Sequence, residues 1–259
     1  MTANPYIIPD ANANRDAPMN IQTRNEEAGR AGREGALNVL LVLAHPERRS
    51  FSGAMADAAV EALTALGHKV TVSDLYRMGF DPVSGRRNFT RAKDPDYYKQ
   101  QVEEDHATET GGFAPDLAAE MAKLEAADLL IFQFPLWWFG LPAILKGWVD
   151  RVFAFNRIYG RGRIYEKGKF RGRRALLSLT TGGSGETAYR PDGFNGDING
   201  VLRPIQRGML QFLGYDVLRP QIVYGPAQMT QEQRAAALAA WRERLRQIAQ
   251  EEAIEVGRY

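Results

Sequence analysis

Three segments of the 259-residue chain gather residue types that could hold a polar group next to a flat apolar one. The first, AHPERRSFSGAM at 44–55, puts Ser50 and Ser52 where a helix should begin. A helix N-terminus offers free N–H groups and the positive end of the helix dipole, which suits a phosphate, and Arg48 or Arg49 could add charge. A serine there serves equally well as the helix cap, with the arginines in water. The segment has no G-x-x-x-x-G-K-[ST] pattern, so it is not a nucleoside-triphosphatase phosphate loop.

The second segment, FPLWWFGLPAILKGWVDRVF at 134–153, has Trp137, Trp138 and Phe139 in succession before Gly140. Three adjacent aromatics cannot all point into one core, so at least one should line a flat apolar surface. An isoalloxazine ring fits such a surface, and so does a subunit interface. In the third, LTTGGSGETAYRPDGFNG at 179–196, Thr180, Thr181, Gly182 and Gly183 let the backbone approach a ligand and aim N–H groups at it. Such donors would stabilise negative charge on the polar edge of a reduced flavin. Gly183 and Gly185 could imitate a G-x-G-x-x-G fingerprint, but they lie late in the chain and Pro191 follows them.

Five predicted strands place these segments. Leu37–Ala44 is almost wholly aliphatic, as for a strand covered on both faces, and a helix from Ser50 or Ser52 to about Leu66 and a strand Lys69–Asp74 follow it. Leu75–Pro115 reads as a long irregular connection. Then come a helix Asp116–Ala126, a strand Asp128–Phe134, a helix Ala143–Phe153 and a strand Arg174–Thr181. A helix Gly200–Leu213, a strand Tyr215–Tyr224 and a helix from Thr230 to about Glu252 complete the pattern. Strands alternating with helices predict an α/β fold, a flavodoxin-like, doubly wound, five-stranded parallel sheet with helices on both faces. Ligands bind such sheets beyond the carboxyl ends of the strands. The three segments follow strands one, three and four.

Composition narrows the chemistry. With no Cys there is no disulfide, thiolate nucleophile or iron–sulfur cluster, so redox chemistry must be carried by a bound group. His45, His68 and His106 lack the spacing of a helical metal pair, and no metal is expected. A net charge of +2 argues against a nucleic-acid partner. No apolar run reaches the roughly 18 to 20 residues that cross a bilayer, so membrane insertion is not expected and the cytoplasm is the expected location. Residues 1–36 read as a flexible N-terminal tail and 37–259 as the folded domain.

The segments LVLAHPERRSF, LEAADLLIFQFPLWWFGLPAILKGWVDRVF, LSLTTGGSGETAY and RPIQRGMLQFLGY closely resemble the NAD(P)H:quinone oxidoreductases of the DT-diaphorase type. The similarity runs from about Leu37 to Trp241. It implies tightly bound FAD, NAD(P)H as hydride donor, a quinone or similar acceptor, ping-pong two-electron transfer, and a homodimer with sites at the interface. Residue by residue, it implies that His45, Ser50, Phe51 and Ser52 meet the FAD pyrophosphate and adenosine, and that Pro135, Leu136, Trp137, Trp138 and Phe139 lie under the ring. Thr180, Thr181, Gly182, Gly183 and Tyr189 match the loop at the pyrimidine edge, and Arg234 matches an FAD-contacting arginine. Trp138, Phe139, Tyr159, Asn195 and Phe212 match the substrate pocket, Phe212 being an aromatic that reaches the other subunit. Tyr189, Asn195, Gly182 and Gly183 are the candidate catalytic positions.

Departures from the family pattern are local. Asn195 stands where the family has a His that works with the Tyr in a proton relay, and Asn cannot become cationic. Arg161 replaces a second pocket Tyr, and Lys99, beside Gln100 and Gln101, replaces an adenine-side Gln. FMN therefore remains an alternative, although His45, Phe51 and Arg234 favour FAD. Eight basic residues between Arg157 and Arg174 face the single acid Glu166, which reads either as a basic rim that attracts NAD(P)H phosphates or as a solvated loop. A flavin-binding redox sensor that docks on a partner such as a transport protein is the alternative to an enzyme.

Overall fold

A computed structural model describes residues 35–258. All of the predicted tail except Gly35 and Ala36 lies outside those residues, as does Tyr259. The chain alternates β1 (Asn38–Leu43), α1 (Phe51–Ala65), β2 (Lys69–Asp74), α2 (Gln100–Thr110), α3 (Pro115–Ala126), β3 (Leu129–Pro135) and α4 (Ala143–Val152). It continues with β4 (Arg174–Thr180), α5 (Ile198–Ile205), β5 (Asp216–Val217), β6 (Gln221–Val223) and α6 (Gln231–Leu245). The strands are parallel in the order β2-β1-β3-β4-β5, with β6 also paired to β4. Strand order reverses between β1 and β3, which is where a doubly wound sheet opens a crevice.

Side-chain alternation along the central strands builds two cores. Val39, Leu41 and Leu43 pack with Leu129, Ile131 and Leu176 under α1 and α6. Leu40 and Val42 pack with Phe132, Phe134 and Leu177 under α3, α4 and α5. Each such side chain is worth about 1.5–3 kcal/mol of burial. The two largest buried residues also satisfy their indole N–H groups. Trp148 donates to Glu120 Oε2 at 2.9 Å, and Trp241 donates to the Met55 carbonyl at 3.1 Å, which ties α6 to α1.

Four elements depart from expectation. The connection after β2 contains α2, a helix whose polar sequence QQVEEDHATET carries little apolar signal. Its buried Glu103 accepts from the backbone N–H groups of Lys93 and Asp94 at 2.6 and 3.0 Å, which anchors the preceding loop. The expected fifth strand is split into β5 and β6, because Pro220 between them cannot donate to the β4 ladder. The helix expected over 200–213 is α only through Ile205. Pro204 withholds one N–H, and a π turn over Gln206–Leu210 and a 3₁₀ turn over Gln211–Leu213 follow. Finally, α6 stops at Leu245, short of Glu252, where Arg174 takes the carbonyls of Ile248 and Glu251 at 2.9 and 2.7 Å.

Candidate active site

The loops after β1, β3 and β4 meet at the carboxyl end of the sheet. In the first, Ser50 caps α1, its Oγ accepting from Gly53 N at 3.1 Å. Among the described residues, no acceptor meets the N–H groups of Phe51 and Ser52, so the first turn keeps free donors. Ser52 is buried and accepts from Gln133 Nε2 at 3.0 Å, which fixes the helix start against β3. Gly53 is required there, since a Cβ would lie 2.0 Å from the Arg48 carbonyl oxygen. Arg48 bonds the Gly53 carbonyl and pairs with Asp57, so it faces α1. His45 Nδ1 accepts from Glu47 N at 3.0 Å, which leaves Nε2 as the ring's donor.

The second loop is a two-residue turn. Trp137 and Gly140 exchange backbone hydrogen bonds at 3.3 and 3.0 Å, and Trp138 (φ 50°) and Phe139 (φ 58°) between them are both left-handed. That conformation costs a non-glycine residue about 1–2 kcal/mol. Trp138 is 97% exposed and Phe139 51% exposed. Among the described residues, no ring packs against either, and no acceptor meets either N–H. Leu136 N donates to Thr180 O at 2.7 Å, which joins this loop to the third.

In the third loop, Thr181 N donates to Val223 O and Thr181 Oγ1 accepts from Gly225 N, both at 3.1 Å. The N–H groups of Gly182 and Gly183 meet no acceptor among the described residues, and a Cβ on Gly182 would touch nothing within 4 Å. Asn195 N donates to Ala188 O at 2.7 Å, which folds the loop back on Tyr189. Tyr189 is buried against Tyr224, with ring centroids 5.5 Å apart. Burial, reinforced by Glu186, Tyr189 and Asp197, pushes the Tyr224 hydroxyl above the usual tyrosine value, so it stays protonated.

Sequence reasoning missed Tyr224 and Gln228. Tyr224 follows β6 directly, and Gln228 Nε2 would lie 3.1 Å from a Cβ on Gly183. The strand-end rule that located the other three loops applies to this one too, and Arg234 braces it by donating to Pro226 O at 3.2 Å.

Tyr159 and Phe212 are brought together, but not onto the Trp138–Phe139 turn. Their rings lie 5.6 Å apart, with Phe155 5.7 Å from Tyr159 and Tyr165 5.4 Å from Phe212. Part of the basic stretch is tied down internally. Glu125 takes Arg157 at 2.9 Å and Lys169 at 2.5 Å, and burial and those two cations act in opposite directions on a carboxyl that ends below its usual range. Asp105 takes Arg161, Arg163 bonds Asn156 O, and Arg173 and Arg174 bond carbonyls. Ion pairs thus engage Arg157, Arg161 and Lys169, while bonds to carbonyls leave a guanidinium's charge in place, so the stretch stays net basic.

The donor set suits a flat heteroaromatic group with a polar edge and a phosphate. It combines an exposed aromatic turn, open glycine N–H groups and a helix start with free donors. Among the described residues, no group of acidic, His or Cys side chains could hold a metal, and no helix is long and apolar enough to cross a membrane.

Sheet order and strand-end loops together define a flavodoxin-like α/β protein, and a family model described as a flavodoxin-like fold matches residues 37–245. The NAD(P)H dehydrogenase [quinone] 1 of Cavia porcellus is 49% identical over 210 residues, covering 81% of this chain and 76% of that protein. The ribosyldihydronicotinamide dehydrogenase [quinone] of Rattus norvegicus is 46% identical over 217 residues, covering 83% and 94%. An NAD(P)H:quinone oxidoreductase structure from Methanothermobacter marburgensis superposes with TM-score 0.65 at 28% identity over 83% of this chain and 98% of that one. The chain belongs to the NAD(P)H dehydrogenase (quinone) family of oxidoreductase enzymes.

Proposed function

We propose that the chain is a flavin-dependent NAD(P)H:quinone oxidoreductase that works by a ping-pong sequence, with residues 37–259 as its catalytic unit. The observation that carries this reading is the left-handed, exposed pair Trp138 and Phe139 beside the open N–H groups of Gly182 and Gly183. A flavin held there would supply the two-electron chemistry that links NAD(P)H oxidation to quinone reduction.

The chain's own residues supply place and field. Pro135, Leu136 and Trp137 support the ring, and Trp138 and Phe139 form the surface on which donor and acceptor lie in turn. Gly182 and Gly183, carried on the strand end at Thr180 and Thr181, direct N–H groups at negative charge on the polar edge. Tyr189, held by Tyr224, donates a hydrogen bond there. Asn195 can donate too, but it holds no proton to give up, so protonation of the reduced acceptor falls to Tyr189 or water. His45, Ser50, Phe51 and Ser52 suit a pyrophosphate, and their retention with Arg234 supports FAD over FMN.

Homodimerisation accounts for the two separated aromatic sets. A second copy would bring Tyr159 and Phe212 over this copy's Trp138 and cover its exposed face, along with Phe194, which is 96% exposed.

Purification, identification of the released flavin, and NADH and NADPH oxidation assays with a benzoquinone test this reading. Rapid turnover with parallel double-reciprocal lines is expected. Intersecting lines would remove the ping-pong sequence, and a bound flavin that turns over negligibly would favour the redox-sensing module.

A further inference from the structure

α2 presents a polar stripe at helical spacing. Gln101, Glu104, Asp105 and Thr108 stand at i, i+3, i+4 and i+7, and all four reach the loop after α4. Gln101 Nε2 donates to Tyr159 Oη at 3.2 Å. Glu104 Oε2 accepts from Phe155 N at 2.7 Å, and Thr108 Oγ1 faces the Phe155 carbonyl at 3.5 Å. Asp105 accepts from Asn156 Nδ2 at 2.6 Å, and its two oxygens flank Arg161 Nη2 at 2.8 and 2.9 Å.

The loop gripped in this way is strained. Asn156 (φ 62°), Arg161 (φ 52°) and Tyr165 (φ 49°) are left-handed without being glycine, and such a conformation persists only where surrounding bonds over-determine it. Arg161 would otherwise be a bare cation, since its side chain is 56% exposed and Asp105 is its one ion-pair partner among the described residues.

We propose that Gln101 and Asp105 are positioning residues that hold Tyr159 and Arg161 as a rigid wall, and that Asp105 cancels the Arg161 charge so that the site takes uncharged planar acceptors in preference to anionic ones. The inference rests on the function proposed above, in which Tyr159 lies against the acceptor. It assigns specificity to a helix remote in sequence from the strand-end loops.

The test uses the flavin-loaded full chain and two acceptors, neutral 1,4-naphthoquinone and the anionic 1,2-naphthoquinone-4-sulfonate. Asp105→Asn frees the guanidinium and should lower the ratio of the anionic to the neutral KM by about fivefold, the effect of one partly exposed ion pair. Arg161→Gln leaves Asp105 unpaired and should raise the same ratio by about as much. Asp105→Glu should restore the wild-type value. A purely structural role would move both KM values together, so an unchanged ratio in both charge variants overturns the proposal.

Trypsin gives a readout that needs no turnover. Loss of the Asp105 bonds should speed cleavage after Arg161 by about fivefold, because the loop opens more often. Equal cleavage rates overturn the clamp. A wild-type chain that binds no flavin and reduces no quinone overturns the proposed function and the acceptor preference together, while the trypsin result still decides whether α2 holds the loop.

Discussion

The turn after β3 and the loop after α4 both place bulky or charged residues in the left-handed region, yet they are bonded in opposite ways. Trp138 and Phe139 are pinned only at the flanks, by the Trp137–Gly140 pair, and their own N–H groups and rings are left open. Asn156 and Arg161 are tied by side chains from α2, and Arg163 adds a bond to the Asn156 carbonyl. Strain in the first region is kept where a ligand can use the exposed groups. In the second, protein contacts use them up, and the result is a fixed wall. Changes in the open turn should therefore alter chemistry more than folding, and changes in the clamped loop should do the reverse.

The sharpest break of this contrast is Gly182→Val. The new Cβ meets no protein atom within 4 Å, and the branched side chain fills the space proposed for the ligand. Flavin affinity should fall about 100-fold, or about 2.7 kcal/mol, in a fluorescence titration, with the thermal midpoint of the flavin-free chain little changed. Unaltered affinity would remove the third loop from the site.

Next in size is a matched pair of glycine substitutions. Trp138→Gly relieves strain and should leave folding stability equal or up to about 1 kcal/mol higher, while quinone turnover falls about tenfold. Asn156→Gly relieves the same kind of strain but loses the Asp105 bond, and should destabilise by about 1 kcal/mol in urea unfolding. Equal stability changes in the two variants would erase the distinction between the regions.

Asn195→His restores a residue that can carry a proton, and it should raise quinone turnover severalfold, roughly 1 kcal/mol in the barrier. An unchanged or lower rate would mean that the loop is built around Asn.

The smallest effect is on the pH dependence of stability. Burial pushes the Glu104 carboxyl above its usual range, against the bonds from Phe155 N and Gln100. Its contribution to stability is therefore complete below the ordinary carboxylate range and is lost as pH rises through the raised value. Neighbouring Asp105, held low mainly by its hydrogen bond to Arg161, contributes above the ordinary range and loses that contribution as pH falls. Glu104→Gln should flatten the loss on the rising side while leaving the acid side intact, as read from urea midpoints across pH 4–8. An unchanged profile would show that Glu104 does not carry that slope.

The strand-end loops were legible because continuous aliphatic runs such as NVLLVL and LLIFQF mark buried parallel strands, and a doubly wound sheet puts ligands at their ends. The clamp was not legible. The residues of α2 that matter are polar, and polarity at helical spacing normally means a solvated face. Glu103 and Glu104 break that rule, because they are buried to accept backbone N–H groups from other loops. Charge counting over Arg157–Arg174 overstated the local field for a related reason. Glu125 and Asp105, which pair with three of those cations, lie 32 to 56 positions away in sequence. The break at Pro220 could have been read from the chain alone, since a proline in a predicted central strand argues against continuity.

The π turn after Pro204 amounts to one residue more than a regular helix would use over the same path. Heritable loss of a single codon in Gln206–Leu210 could restore regular winding while leaving both flanks folded. The downstream residues, Phe212 among them, would keep their places, because the regular helix covers the same path, and only the side chains inside the turn would be re-aimed. A lineage carrying this fold could thus shorten the chain by one residue beside the proposed acceptor wall in a single mutational step, with the sheet and the three strand-end loops left in place.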